Sequence, residues 1–349
     1  MTSTATDLST HITLGWNAGN TLEAIGGETA WGNPMITQAL MDKVKALGFD
    51  AVRLPCAWDY NADPATAKIS DAWLNRIKDV VQYCMNANLY VVLNIHWDSG
   101  WLELNVNAAS KTAVAAKQKA FWEQIATKLR DFDQRLMFAS ANEPFVDFGD
   151  TSATDVLLAY HQTFIDAVRS TGGKNANRVL VIQGPSTDTE KTAQLWKTMP
   201  VDTVANRLMF EVHFYSPFQF ALLESDQSWG KMFYYWGNGH HSSIEPDRNA
   251  THSDEAFIDQ QMLAMKQQFV SKGIPVILGE YACMRRTTPL DMATHNAAVT
   301  YWMKYVTQRA VANGIMPFLW DIGGYIRRDT LAIGDQASMD AVLEGAGKK

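Results

Sequence analysis

Short apolar runs that end in polar or turn residues recur along the chain, with amphipathic stretches of helical period between them. They predict strands over residues 12–17, 51–55, 90–96, 136–142, 178–183, 207–213, 275–280 and 315–320. Between the last residues of successive strands, five of the seven intervals are 38 to 46 positions, the spacing of a strand, loop, helix, loop unit; one is 30 and one is 67. The helices carry end signals. Asn33 and Pro34 predict a cap and first turn ahead of the stripe Ile36, Leu40, Val44, Leu47, with Gly48 as the stop. Ser70 and Asp71 open a second helix, and a third runs over 255–272 to Gly273.

Eight strands alternating with helices admit a closed barrel or an open doubly wound sheet. An open sheet would bind a nucleotide through a Gly-rich turn after its first strand. Here Gly15-Trp16-Asn17-Ala18-Gly19-Asn20 lacks the third glycine and runs into a polar loop. The expectation is therefore an α/β fold, a (β/α)8 TIM barrel forming one catalytic domain over 1–349, with 1–10 a poorly ordered tail. Residues 1–10 have neither the basic start nor the apolar core of a secretory signal.

Composition narrows the functional classes. Thirty basic against 37 acidic side chains give a net charge of −7 with no basic run, which excludes the electrostatic footprint of a nucleic-acid binder. No stretch approaches the ~20 apolar residues that cross a bilayer. A monomer without nucleic-acid or membrane partners is expected. Cys56, Cys84 and Cys283 have no metal or disulfide spacing and read as buried apolar side chains. The chain holds 38 aromatics, and Trp31, Trp58, Trp97, Trp101, Trp229, Trp236 and Trp320 fall in polar loop phrases. Flat amphipathic rings in loops suit a pyranose, which has apolar faces and a polar rim.

In a (β/α)8 barrel the carboxyl ends of the strands build the active site. Those ends carry Asn17, Arg53, His96, Asn142, Glu143, His213, Tyr215, Glu280 and Trp320. Glu143 and Glu280 follow strands four and seven, nearly opposite in a narrow barrel. Two carboxyl groups facing each other across a sugar bond can hydrolyse it, with retention at a separation of ~5 to 5.5 Å and inversion at ~6.5 to 9.5 Å. The narrow bore predicts retention. At ~5.5 Å and an effective dielectric of ~20 the two would repel by ~3 kcal/mol, so one holds a proton. Arg53 and Tyr215 would favour the charged form of whichever glutamate they touch, making it the nucleophile.

The phrases Val52-Arg53-Leu54-Pro55, Asn94-Ile95-His96-Trp97, Asn142-Glu143-Pro144, Val212-His213-Phe214-Tyr215, Gly279-Glu280-Tyr281 and Phe318-Leu319-Trp320 resemble glycoside hydrolase family 5 in order and spacing. Gly15-Trp16-Asn17, Asn20-Thr21-Leu22-Glu23 and the segment Glu28 to Pro34 further resemble a subgroup of endoglucanases and xyloglucanases. The resemblance implies a retaining endo-β-1,4-glucanase (cellulase) without cofactor or metal. It makes Glu143 the acid/base and Glu280 the nucleophile, gives Asn142 the sugar 2-hydroxyl, and sets Arg53 and His96 on Glu280 and nearby hydroxyls. His213 and Tyr215 frame the cleavage point, and Trp320 is the floor under the glycone sugar. Asn20, Trp31 and Trp97 are candidates for more distant glycone contacts. In the long interval after His213, Trp236 and Tyr234 are expected to touch substrate.

Rival readings are a zinc hydrolase using His96, Asp98, His213 and Glu280, which lacks HxH or HExxH spacing, and a glucan-binding barrel without catalysis, which needs no facing carboxylates. Among substrates, β-1,4-glucan comes first, with xyloglucan and mannan as alternatives. An extracellular or periplasmic location is expected because a polymeric substrate cannot enter a cell.

Overall fold

The computed structural model describes residues 1–349. Each predicted strand forms: β1 Gly15–Ala18, β2 Ala51–Leu54, β3 Tyr90–Asn94, β4 Leu136–Ala139, β5 Leu180–Asp188, β6 Leu208–His213, β7 Val276–Tyr281 and β8 Ile315–Asp321. They pair in parallel and in sequence order, and β8 returns to β1, so the sheet closes into a barrel. The strands are buried on both faces, inside against the opposite wall and outside against helices, which is why they read as continuous apolar runs rather than as alternations.

The barrel interior fills in layers. Ala51, Val92, Met137, Ala139, Val181, Met209, Ile277, Met316 and Phe318 form an apolar floor. Two positions admit no side chain there. A Cβ on Gly15 would lie 2.2 Å from the Phe318 ring, and one on Gly279 would lie 2.0 Å from a Glu211 carboxylate oxygen. Above the floor the inward positions turn polar, with Asn17, Arg53, Gln183 and Glu211 all buried.

The first ten residues are ordered, contrary to the expectation of a loose tail. Helix Ala5–Ser9 starts at a capping box in which Thr4 and Asp7 bond each other's backbone N–H. Its Ala5 and Leu8, with Ile12, join the apolar floor and close the amino-terminal mouth of the barrel. The Ala5 N–H donates to the Asn206 carbonyl at 2.8 Å, and Arg207 reaches the carbonyls of Ser3 and Thr2.

The helix expected at Asn33 begins later, over Gln38–Ala46, with Thr37 as its cap. Asn33 instead ties loops together, its amide donating to the carbonyls of Asn20 and Ile322 at 3.0 Å. Ser70 caps Asp71–Asn86 as expected, and the third predicted helix appears as Glu255–Gln268 followed by the turn Val270–Lys272, ending at left-handed Gly273. All three cysteines are buried and free. No helix is long and apolar enough to cross a membrane. Trp16, Trp58, Trp122, Trp236 and Trp302 are fully buried, so much of the tryptophan serves packing, Trp58 and Trp236 included.

Candidate active site

The carboxyl ends of the strands converge on Arg53, which points inward from β2 and is wholly shielded from solvent. Its Nε lies 2.8 Å from Glu211 Oε1, Nη1 donates to Glu280 Oε1 at 2.8 Å and to Asn17 Oδ1 at 3.0 Å, and Nη2 donates to Asn142 Oδ1 at 2.6 Å. One guanidinium thereby fixes a carboxylate on β7, an amide on the β4 turn and an amide on β1. Because the Asn142 oxygen is occupied by Arg53, its NH2 is left as the donor.

Glu280 has both oxygens engaged, since Tyr215 Oη donates to Oε2 at 2.9 Å. Burial and the neighbouring Glu280 and Glu143 carboxylates push the Tyr215 phenol well above its ordinary value, which keeps it a donor. Glu143 is more open, with 43% of its side chain in solvent against 7% for Glu280. His213 joins the two, with Nδ1 2.8 Å from Glu143 Oε1 and 3.7 Å from Glu280 Oε2, and Nε2 3.3 Å from Glu211 Oε1. Burial alone would strip its proton. The surrounding Glu280, Glu143 and Glu211 carboxylates prevail and raise it to about 9, so it is an imidazolium at neutral pH.

An oxygen of Glu143, an oxygen of Glu280 and a His213 nitrogen all lie within 4.8 Å of one another. That approach of the nearest atoms lies just under the ~5 to 5.5 Å of retaining glycosidases and well short of the ~6.5 to 9.5 Å that leaves room for an inverting enzyme's water. The two glutamates border a pocket of about 460 Å³, with Trp320 at one edge and Ser186, Asp188 and Phe218 at others. His96 stacks on Trp320, rings 5.7 Å apart and 6° from parallel. Burial, followed by the charges on Arg53 and His213, pushes His96 well below the usual imidazole range, so it is neutral.

The sequence profile described as Cellulase (glycosyl hydrolase family 5) matches residues 16–325. The chain belongs to glycosyl hydrolase family 5. It is a retaining endo-acting hydrolase of β-1,4-glucan chains. A xyloglucan-specific endo-β-1,4-glucanase of Bacteroides ovatus is 34% identical over 98% of this chain and 70% of its own length. Endoglucanase A of Paenibacillus barcinonensis is 32% identical over 98% of this chain and 90% of its own. A xyloglucan-specific family 5 β-1,4-glucanase from a ruminal metagenomic library, solved in complex with XXLG, superposes with a TM-score of 0.91 at 38% identity, covering 99% of this chain and 97% of that one.

Around this family 5 centre, the remaining sequence candidates divide. Arg53, His96, Asn142, His213, Tyr215 and Trp320 gather about the two glutamates. Asn20 follows β1 on left-handed backbone, its side chain free of hydrogen bonds, and adjoins Gly19, where a Cβ would stand 3.1 Å from Trp320. Trp31 and Trp97 are exposed on rim loops. Trp236 and Tyr234 do not reach the cleft. Trp236 is 1% exposed, donates to the Ser253 carbonyl at 2.7 Å and packs on Phe220, Tyr301 and Tyr305. Tyr234 is buried under the Arg248 guanidinium. In that interval it is Phe218 and Trp229 that stay exposed, and Phe218 borders the pocket. Asp98, the carboxylate of the zinc reading, accepts backbone N–H groups of Trp58 at 2.6 Å, Asp59, and Tyr60 at 3.2 Å, and is occupied as a loop cap.

Two important carboxylates escaped the sequence reading. Glu211 is wholly buried between Arg53, His213 and Gln183, whose amide donates to it at 2.5 Å. Its signal was present, because β6 alternates inward at Met209, Glu211 and His213. Glu103 accepts the Glu143 N–H at 3.0 Å and offers its carbonyl to the Phe145 N–H at 2.9 Å, bracketing the turn that carries Glu143. Burial, opposed by the Glu143 N–H, raises Glu103 to about 7. It opens a single 3₁₀ turn, Glu103–Asn105, too short to carry a periodic pattern that would single it out.

Proposed function

We propose that Glu280 is the nucleophile and Glu143 the acid/base of a double displacement on a β-1,4-glucan. The observation that carries this reading is the approach of the two carboxyl groups to within 4.8 Å. Glu280 attacks the anomeric carbon as a carboxylate, held in position by Arg53 and Tyr215. Glu143 gives its proton to the departing glycosidic oxygen, and the Glu280–sugar ester forms as that bond breaks. Water then enters, Glu143 takes a proton from it, and the ester is cleaved to give a product of the starting configuration. His213, cationic beside Glu143, stabilises the carboxylate that Glu143 becomes after the first transfer. The Asn142 NH2 donates to the 2-hydroxyl, and Trp320, braced by His96, lies under the glycone sugar.

Glu280→Ala should abolish turnover on every substrate. Glu143→Ala should lose polysaccharide hydrolysis while still forming the glycosyl-enzyme from aryl glycosides, whose leaving group needs no proton. Equal loss on both classes by a folded Glu143→Ala protein would reverse the assignment.

A second reading concerns the substrate. The relatives at 34% and 38% identity are both named xyloglucan-specific, while the one at 32% is named an endoglucanase. This favours a branched xyloglucan backbone over plain cellulose. Initial rates on xyloglucan, barley glucan, carboxymethyl cellulose and galactomannan decide between them, and a rate on carboxymethyl cellulose above that on xyloglucan refutes the branched preference. Action on a polymer supports an extracellular or periplasmic setting, testable by assaying activity in culture fluid, periplasm and cytosol.

A further inference from the structure

The loop that carries Glu143 continues into two exposed phenyl rings. Phe145 and Phe148 leave 49% and 57% of their surface in solvent. The Lys191 ammonium stands 5.1 Å from one ring centroid and 5.2 Å from the other. Scattered exposed hydrophobics are ordinary, but two rings sharing one ammonium beside a cleft form a patch, and neither ring contributes to the apolar cores.

The patch is held from beneath. Pro144 accepts the Ser186 N–H at 2.8 Å, and the Ser186 hydroxyl exchanges hydrogen bonds with both backbone groups of buried Val146 at 3.1 and 3.2 Å. Ser186 and the next residue, Thr187, both adopt left-handed backbone, with φ of +52° and +48°, a conformation that surrounding structure must impose on non-glycine residues. Lys191 Nζ donates to the same Ser186 hydroxyl at 3.2 Å. Ser186 also borders the catalytic pocket. The two rings are thus joined to the pocket through Ser186, and through the chain itself to Glu143, two positions before Phe145.

We propose that Phe145, Phe148 and Lys191 form a binding platform for the leaving-group half of the glucan, engaging sugars beyond the one attached to the cleaved bond. A glucosyl ring presents an apolar C–H face that packs on a phenyl face. The Lys191 ammonium has three N–H donors and spends one on Ser186, which leaves two for sugar hydroxyls. The Lys191 charge is also attracted to the faces of both rings, which ties the three side chains together. The proposal rests on the reading of Glu143 as the acid, since that places the departing sugars on this side.

The test compares substrates that do and do not reach the platform. For the double variant Phe145→Ala/Phe148→Ala and for Lys191→Met, kcat/KM is measured on xyloglucan and carboxymethyl cellulose, and on nitrophenyl β-cellotrioside, whose leaving group is a single aryl ring. The expected result is a loss of roughly tenfold or more on the polymers, about 1.4 kcal/mol, with the aryl substrate within about twofold of the parent; Phe145→Tyr retains the polymer rate. Equal losses on both substrate types would mean a structural role and overturn the proposal, as would no loss on either. Failure of the acid assignment is read separately, from Glu143→Ala on the aryl substrate.

Discussion

Replacing Glu211 by Gln removes one negative charge from the middle of the site without changing its volume. At an effective dielectric of ~20, the Arg53 contact at 2.8 Å corresponds to about 6 kcal/mol of attraction and the His213 contact at 3.3 Å to about 5 kcal/mol. Most of that gross attraction offsets the desolvation of three buried charges, so the net loss is that of breaking a buried ion pair, about 3 to 5 kcal/mol. The amide cannot restore it. Its oxygen can face either the two cations or Gln183, and in both orientations its NH2 meets another donor. Gln183 cannot turn over to compensate, because its own carbonyl oxygen accepts the Ala141 N–H at 2.9 Å.

Three measurements follow Glu211→Gln. The unfolding free energy in urea should fall by about 3 to 5 kcal/mol, a large share of the ~5 to 15 kcal/mol of an ordinary domain. The His213 titration, followed by NMR, should move down from about 9, because one of the carboxylates that raise it is gone. The pH dependence of stability has a definite sign. A histidine whose folded value is raised stabilises fully below its unfolded value, near 6.5, and loses that contribution as pH rises through the folded value. The parent should therefore weaken between about pH 6.5 and 9, and Glu211→Gln should complete this loss at lower pH. An unfolding free energy within ~0.5 kcal/mol of the parent, together with an unmoved His213 titration, would refute the claim that Glu211 neutralises this centre.

Other variants probe the frame. Gly279→Ala puts a Cβ 2.0 Å from a Glu211 oxygen that Arg53 holds in place; overpacking of about 1 to 3 kcal/mol and a fall in kcat are expected, and unchanged thermal unfolding and turnover would contradict it. Leu8→Ala opens the barrel's amino-terminal plug and should cost about 2 to 5 kcal/mol in denaturant titration; a loss below ~0.5 kcal/mol would return residues 1–10 to the status of a loose tail. NMR of the first product released should show the β-anomer, and an initial α-anomer would refute the reading of the carboxylate spacing.

The barrel was legible because its strands are buried on both faces, leaving apolar runs at a regular interval, and because a polar or aromatic residue stands at the carboxyl end of nearly every one. Arg53, Glu143, His213, Tyr215 and Glu280 could be chosen from position alone. The errors share a cause. Trp236 and Tyr234 sit in an irregular insertion, where no period tells a packed ring from an exposed one, and there the smaller Phe218 reaches the pocket. Asn33 resembles a helix cap, yet its amide satisfies distant carbonyls that only the closed fold brings near. The terminal helix was readable, since Thr4 and Asp7 have capping-box spacing and Ala5, Leu8 and Ile12 share one face.

Glu211 shows what strand-end reasoning omits. A site at the mouth of a barrel needs a layer beneath it, and in a chain that binds through Arg53 that layer must carry charge. Gly279 makes the space, Gln183 supplies a donor, and Glu211 gives Arg53 a second anion besides the nucleophile. Without it, Glu280 would be the only carboxylate directly paired with a fully buried guanidinium. Forming the glycosyl ester would then cancel that charge and leave Arg53 unpaired in the intermediate. With Glu211 fixed below, the cation stays compensated when Glu280 becomes an ester and again when it is released. The buried glutamate thus evens the cost of Arg53 across the steps of the reaction, while Arg53 continues to orient Asn142 toward the sugar.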